Sequence, residues 1–166
     1  MKKFLLDLRQ AEYSDRKFVI DLSIEVFSIY GPYGEILGEY FNNPYVITKL
    51  IRIKEKSNPD FVNAGFIMFY MFEENGVNIC DISAIAIKPE FQQKGIGRSA
   101  LSSLCTEIFY VYGAHKIQLS VSETNSYGIE FFRKTGFNII EPESGYYPQG
   151  QTSMRMELVP SGLKEK

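Results

Sequence analysis

The stretch that decides the fold reads Ile85-Ala86-Ile87-Lys88-Pro89-Glu90-Phe91-Gln92-Gln93-Lys94-Gly95-Ile96-Gly97-Arg98. An apolar, strand-like segment leads into a glycine-bearing loop, and residues 97–112 then show the apolar spacing of a helix. The first N–H groups of a helix lack intrahelical acceptors, and the helix dipole favours negative charge there. Because Gly95 and Gly97 let an anion approach the backbone closely, the loop is a candidate anion site, with Lys94 and Arg98 adding positive charge.

The spacing of the glycines does not fit two common phosphate-binding motifs. A P-loop requires Lys and Ser or Thr after its last Gly, whereas Arg98 follows Gly97 here. A dinucleotide fingerprint needs a third Gly and an acidic residue about 20 positions further on. Position 100 is Ala, which some variants allow, but the acidic residue at the end of the next predicted strand is missing. Taken alone, the loop therefore has two interpretations, an anion site or a tight turn between strand and helix.

Hydrophobic periodicity predicts strands before the loop and a strand–helix unit after it. The predicted strands are 3–9, 45–54, 61–72, 77–87, Lys116–Val121, Phe137–Ile140 and Thr152–Leu158, and the predicted helices are 14–29, 35–42, 97–112 and Asn125–Lys134. This order predicts an α/β (α+β) domain with a mixed, mostly antiparallel central sheet and helices on both faces. We expect a single domain at 1–159 and a polar, frayed C-terminal tail at 160–166.

Composition argues against nucleic-acid binding, membrane contact and metal binding. The chain has 166 residues, a net charge of −2 and a pI of about 5.5, without the basic excess typical of nucleic-acid binding. No apolar stretch is long enough to span a membrane, so we expect a cytoplasmic protein without membrane contact. Cys80 and Cys105 are interpreted as buried thiols, and with a single histidine no metal-binding spacing occurs.

The linked motifs resemble the GNAT superfamily of N-acetyltransferases. The stretch 85–98 is similar to the family's apolar strand, Pro, aromatic residue and Gln/Arg-x-x-Gly-x-Gly/Ala loop. Asn125 and the run Phe131-Phe132-Arg133-Lys134-Thr135-Gly136-Phe137 resemble the family's Asn and the helix that ends in Gly-Phe. The resemblance is firm over 77–140, looser to 158, and limited to the order of elements over 1–76. It implies the acyl-CoA N-acyltransferase fold.

The resemblance also implies acetyl-CoA as co-substrate, with no metal. Backbone groups of Ile85, Ala86 and Ile87 would pair with its pantetheine arm. Its pyrophosphate would be bound by the loop residues Gln92, Gln93, Lys94, Gly95, Ile96, Gly97 and Arg98. Asn125 would hydrogen-bond near the thiol end; the alternative for Asn125 is a helix N-cap, and both roles are compatible.

The implied reaction is direct transfer of the acetyl group to a primary amine: a small amine, a polyamine, an amino acid or a protein N-terminus. The alternatives are a non-catalytic acetyl-CoA sensor and an interaction module on the same fold. Two departures bear on the mechanism. Phe132 occupies the position of a Tyr that many family members carry, and Ser120 occupies the position of a Glu base in ribosomal-protein alanine acetyltransferases.

Other residues are candidates for the missing catalytic roles. Asp81 shares the strand parity of Ser83, Ile85 and Ile87. Some histone acetyltransferases of the GNAT superfamily carry a catalytic Glu at this strand position, so the resemblance implies Asp81 as general base, directly or through a water. The alternative is an ordinary exposed strand carboxylate. Tyr127 is the candidate acid, or else a surface aromatic. The candidate substrate residues are Glu35, predicted in the loop between the first two helices, with Tyr33, and Tyr146 and Tyr147 in a late Gly/Pro loop. Since family members are often dimers, a homodimer is an expectation.

Overall fold

The computed structural model describes residues 3–143 and 150–162. The strands are β1 (Phe4–Gln10), β2 (Val46–Glu55), β3 (Val62–Glu74), β4 (Val77–Ile87), β5 (Lys116–Ser122), β6 (Asn138–Glu143) and β7 (Ser153–Leu158). The helices are α1 (Arg16–Phe27), α2 (Tyr33–Asn42), α3 (Ile96–Tyr110) and α4 (Ser126–Thr135). Every predicted strand and helix is present, with end points that differ by a few residues.

The strands form one mixed sheet. Its order is β1-β2-β3-β4-β5-β7-β6, and β4–β5 is the parallel pair among otherwise antiparallel neighbours. The parallel step requires a crossover, and the loop after β4 together with α3 supplies it. The prediction of a mixed, mostly antiparallel sheet is confirmed.

Two hydrophobic clusters cover the two faces of the sheet. Because side chains alternate along a strand, Ile67 and Phe69 of β3 pack with α3, whereas Phe66 and Met68 pack with α1 and α2. On the second face, Val19 of α1 is fully buried. The expected arrangement of helices on both faces is therefore confirmed, with α3 and α4 on one face and α1 and α2 on the other.

An irregularity in β4 changes which side chains face which helices. Met68 pairs with Ala84, but its neighbour Phe69 pairs with Ile82, so Ser83 is an extra residue in β4. An extra residue in one strand is a β-bulge, and it reverses the alternation of side chains beyond that point.

The bulge corrects the predicted parity of Asp81. Before the bulge Ile82 packs in the α3 cluster, and after it Ile85 and Ile87 do so, while Ala86 packs with α1 and α2. Asp81 therefore lies on the α1–α2 face, opposite to Ile85 and Ile87. The sequence-based prediction missed this orientation, because it assumed that side chains alternate without interruption along β4.

Strands β4 and β5 separate soon after they meet. Their parallel ladder pairs Ile79–Ile82 with Lys116–Leu119 and ends there, although both strands continue. The sheet consequently opens into a gap between the carboxyl ends of β4 and β5, where the crossover loop and α4 begin.

A short turn follows β7 at the C-terminal end of the described residues. Pro160–Gly162 forms a 3-10 turn, and a Cβ on Gly136 would overlap the carbonyl oxygen of Gly162, so the turn packs closely on the end of α4. The structure describes this segment as far as Gly162, and the expected polar tail at 160–166 stays a prediction. Within the described ranges, no helix has the length and apolar character needed to cross a bilayer.

We expect Gly65→Ala to destabilise the fold strongly. A Cβ at this position would overlap the carbonyl oxygen of Ala86, so β3 and β4 must move apart at the start of the site. The free energy of unfolding, measured with urea, should fall by about 3 kcal/mol. Gly76→Ala in the β3–β4 turn is the control, since nothing lies near its Cβ and its positive φ should cost only about 1 kcal/mol. Equal losses would contradict a steric role for Gly65.

Both thiols should be unreactive in the folded protein. Cys80 and Cys105 are fully buried, and burial raises the pKa of Cys105 to about 12, so the reactive thiolate is scarce at neutral pH. A thiol reagent such as DTNB should label neither cysteine before denaturant is added and both afterwards. Rapid labelling of the native protein would contradict this packing.

Candidate active site

The gap between β4 and β5 is the mouth of a cavity of about 760 Å³. The ends of both strands, the loop before α3, the first turns of α4 and the inner sides of α1 and α2 line it. Ligand sites are commonly found where neighbouring strands of an α/β sheet separate, so the position itself indicates a binding site.

The loop before α3 is shaped for an anion. Gln93 and Gly95 have positive φ angles of 58° and 79°, and α3 begins directly afterwards at Ile96. Alternating left-handed residues turn successive backbone N–H groups towards one side, where anions bind. The side chain of Gln92 donates a hydrogen bond of 2.9 Å to the carbonyl oxygen of Ile87, which ties the loop to the end of β4.

Gly97 keeps the cavity open at the first turn of α3. A Cβ here would lie 3.4 Å from side-chain atoms of Ile87 and Phe131, so any larger side chain would fill the space between β4 and α4. Arg98 follows it and lines the cavity, and its guanidinium donates to the carbonyl oxygen of Lys134 at 3.4 Å. It is the basic residue among the cavity-lining side chains of the described chain.

Most, but not all, of the predicted co-substrate residues line the cavity. Those that do are Ile85, Ile87, Gln92, Gln93, Gly95, Gly97, Arg98 and Asn125. Ala86 is buried beneath α1 and α2, Ile96 is buried in the α3 cluster, and Lys94 is exposed, with its ammonium 5.8 Å from the Phe91 ring centroid. A loop with left-handed residues before a helix start would suit a pyrophosphate, and a strand edge that has lost its partner would suit the amide-rich arm of acetyl-CoA.

Asn125 is the N-cap of α4. Its Oδ1 accepts a hydrogen bond of 2.8 Å from the backbone N–H of Gly128, and its side chain lines the cavity. A Cβ on Gly128 would press against the Asn125 amide, so glycine is needed for this side chain to fit. The N-cap role is therefore present in the structure, and the predicted co-substrate contact stays a prediction.

Asp81 lies at the point where β4 and β5 separate, and it lines the cavity. Its Oδ2 accepts a hydrogen bond of 2.9 Å from Nε2 of Gln118, its partner in the parallel ladder. Oε1 of Gln118 accepts in turn from the guanidinium of Arg155 on β7. The carboxylate is thus held at the inner end of the gap by a polar chain across three strands.

An acidic and aromatic wall lies on the α1–α2 side of the cavity. It comprises Glu25, Phe27, Tyr30, Tyr33, Tyr40 and Tyr70. Burial raises the pKa of the Tyr30 hydroxyl above its ordinary value, so it stays protonated and can donate a hydrogen bond. Together with Asp81, Glu25 makes this side electronegative, which suits a cationic ligand.

The sequence reasoning missed Glu25 and Tyr70. Glu25 has the helical phase of an exposed residue in α1, and that phase alone does not show that the exposed side borders a cavity. Tyr70 pairs directly with Asp81 in the β3–β4 ladder, which only the strand register reveals.

The predicted substrate residues are divided by the structure. Tyr33 lines the cavity, but Glu35 is exposed, does not line it, and lies in the first turn of α2 rather than in a loop. Tyr146 and Tyr147 lie outside the described residues. Tyr127 borders the mouth of the cavity and is 62% exposed.

The two departures from the family pattern both border the cavity. Phe132 is 7% exposed and makes edge contacts with Phe131 and Phe137, so it packs α4 onto the core and offers no proton. Ser120 offers a hydroxyl where a carboxylate base would stand. Among the cavity residues of the described chain, Asp81 and Glu25 are the carboxylates.

Known proteins are similar to this chain both in sequence and in fold. A stretch of 67 residues is 34% identical to the ribosomal protein bS18-alanine N-acetyltransferase of Salmonella typhimurium, covering 40% of this chain and 45% of that protein. A second curated relative, an N-alpha-acetyltransferase of Sulfurisphaera tokodaii, is 28% identical over 45% of each chain. The matches thus span about half the length of these curated relatives.

Solved structures extend the likeness to the whole fold. The spermidine N-acetyltransferase of Vibrio cholerae in complex with CoA and spermine superposes with a TM-score of 0.74 at 19% identity, covering 95% of this chain and 96% of that one. The ribosomal-protein-S18-alanine N-acetyltransferase of Escherichia coli superposes with a TM-score of 0.73 at 17% identity, covering 98% and 97%. At these identities the likeness concerns the fold alone.

The model of the acetyltransferase (GNAT) family matches residues 29–137, which include the crossover loop, α3 and α4. Since that match covers most of the chain and the fold agrees over nearly all of it, this chain belongs to the GNAT family of acetyltransferases.

Proposed function

We propose that this protein is an N-acetyltransferase that uses acetyl-CoA to acetylate a primary amine. The observation that carries the proposal is the continuous cavity that joins an anion-binding loop to an acidic, aromatic wall through the gap between β4 and β5. The loop provides N–H groups and Arg98, and the wall provides Glu25 and Asp81. These two chemistries suit a pyrophosphate and a cationic amine respectively.

The residues that would hold acetyl-CoA lie along the gap between β4 and β5. The loop around Gln93 and Gly95, with the first turn of α3, would bind the pyrophosphate through backbone N–H groups. Beyond the bulge, the edge of β4 at Ile85–Ile87 faces the gap and would pair with the pantetheine amides as an added strand does. When bound, acetyl-CoA supplies an activated acetyl group as a thioester.

Asp81 is our candidate general base. A primary amine is mostly protonated at neutral pH, because its pKa is near ~10.4 in water, so a proton must leave before the nitrogen can attack. Asp81 lies about 17 Å along β4 from Ile87, because the bulge leaves five ladder steps of about 3.3 Å each between them. This separation puts the carboxylate at the inner end of the cavity, away from the anion loop, and next to the acidic wall.

Glu25 and the tyrosines around it would position the acceptor. Their carboxylate and ring faces attract a positive charge, and Tyr30 can donate a hydrogen bond. Tyr127, at the exposed mouth, is the candidate to donate a proton from its hydroxyl group. The proposal leaves Phe132 without a chemical role, since its ring can only pack.

Gly97→Asp should weaken acetyl-CoA binding. The new carboxylate would enter the space beside Ile87 and repel the phosphates, whereas a negative charge in the first turn of α3 does not destabilise the helix. We expect the dissociation constant measured by calorimetry to rise by roughly tenfold or more, since about 1.4 kcal/mol corresponds to tenfold. Ser103→Asp, exposed on the same helix and outside the cavity, is the matched control. No binding by the wild-type protein would refute the proposed co-substrate.

Asp81→Asn should lower kcat and leave acetyl-CoA affinity unchanged. Loss of a general base reduces turnover by about 100-fold or more. The assay follows thiol release over a panel of primary amines, with acetyl-CoA affinity measured in parallel. Glu35→Gln is the control, because it neutralises an exposed carboxylate outside the cavity and should retain wild-type rates. Binding of acetyl-CoA without turnover of any amine would instead indicate a sensor.

A further inference from the structure

We infer that Gln118 is a positioning residue for the reaction: held by Arg155, it fixes the orientation of the Asp81 carboxylate at the inner end of the cavity. This inference rests on the proposed function, in which Asp81 is the base. It concerns residues on β5 and β7 that lie behind the carboxylate and do not line the cavity themselves.

Gln118 is a buried residue on the polar face of β5, where polar and apolar side chains alternate. It is 6% exposed, and its neighbours Ile117 and Leu119 are buried in the α3 cluster. A buried amide is destabilising unless its donors and acceptor are satisfied. Both ends of the Gln118 amide make hydrogen bonds, one to Asp81 and one to Arg155. The residue is therefore part of a specific polar connection rather than of the hydrophobic core.

The chemistry of the two partners allows only one orientation of the amide. A guanidinium group has donors and no acceptor, so it must meet the amide oxygen. An ionised carboxylate has acceptors and no donor, so it must meet the amide NH₂. Arg155 thus determines that Nε2 of Gln118 points at Oδ2 of Asp81, at 2.9 Å.

The strand register places this connection where the proposed base needs support. Asp81 and Gln118 pair in the last part of the β4–β5 ladder, immediately before the strands separate. Beyond this point β4 has no partner on the β5 side, so side-chain bonds must restrain the carboxylate. Catalytic groups held on sheet strands and by bonds to a second layer of residues are placed more accurately than those on loops.

The test uses Gln118→Leu and Gln118→Glu in the full-length protein. Leu removes both hydrogen bonds at similar size, and Glu keeps the acceptor for Arg155 but replaces the donor to Asp81 with a negative charge. Both should lower kcat by roughly 10- to 100-fold, as a displaced catalytic group does, with less than about a twofold change in the KM for acetyl-CoA. If the Leu variant does not fold, the isosteric Glu variant takes its place, alone and in the double variant with Asp81→Asn.

The decisive measurement is the double variant with Asp81→Asn. A residue that acts through Asp81 should have little further effect once that carboxylate is gone, so Gln118→Leu should then change kcat by less than about twofold. Lys116→Met is the matched control: it removes a 2.9 Å ion pair to Glu157 between the same two strands, β5 and β7, and should leave kcat unchanged. Thermal unfolding of every variant identifies losses that come from instability.

The outcomes separate this inference from the proposed function. Suppose that the wild-type protein acetylates an amine, but the decrease in kcat of the double variant equals the product of the decreases caused by Gln118→Leu and by Asp81→Asn. The positioning role is then overturned and the activity stands. The same holds if Lys116→Met lowers kcat as much as Gln118→Leu does. If the wild-type protein acetylates no amine, the proposed function fails and this inference fails with it. A coupled loss in kcat at constant KM supports both.

Discussion

The separation of β4 from β5 is the feature on which the site depends. A parallel pair that ended flush would close the sheet and leave no room for a ligand between the strands. Here the ladder stops at Ile82 and Leu119 while both strands continue, so backbone edges face a cavity instead of each other. The bulge at Ser83 accompanies this change, because it reverses the side-chain alternation of β4 where its partner is lost.

Because of that reversal, polar and apolar side chains of β4 lie on different faces of the sheet before and after the bulge. Before the bulge, Asp81 points towards the polar network and the acidic wall; after it, Ile85 and Ile87 anchor the strand on α3. The loop before α3 follows directly, and its position is fixed by the Gln92 bond back to Ile87 and by the start of α3. Asp81, the loop before α3 and Arg98 therefore belong to consecutive segments of one strand–loop–helix unit.

The residues that depart from the family pattern have physical roles of a different kind. Phe132 contributes ring packing between α4 and the core through its contacts with Phe131 and Phe137. Ser120 leaves the acidic character of the cavity to Asp81 and Glu25, which belong to β4 and α1. The proposed chemistry thus relies on a carboxylate that a buried polar neighbour, Gln118, holds in place.

The sequence by itself determined the elements, the class of sheet and the loop before α3, because these follow from local periodicity and from the glycines at 95 and 97. It also indicated Asn125, whose N-cap geometry is local. Only the tertiary structure decided on which face of the sheet Asp81 lies, since an assumed alternation of side chains does not predict a bulge. It also decided that Glu35 lies outside the cavity. It likewise brought Glu25, Tyr70, Gln118 and Arg155 to one site, because strand register and helix packing, not sequence spacing, join residues from four separate elements.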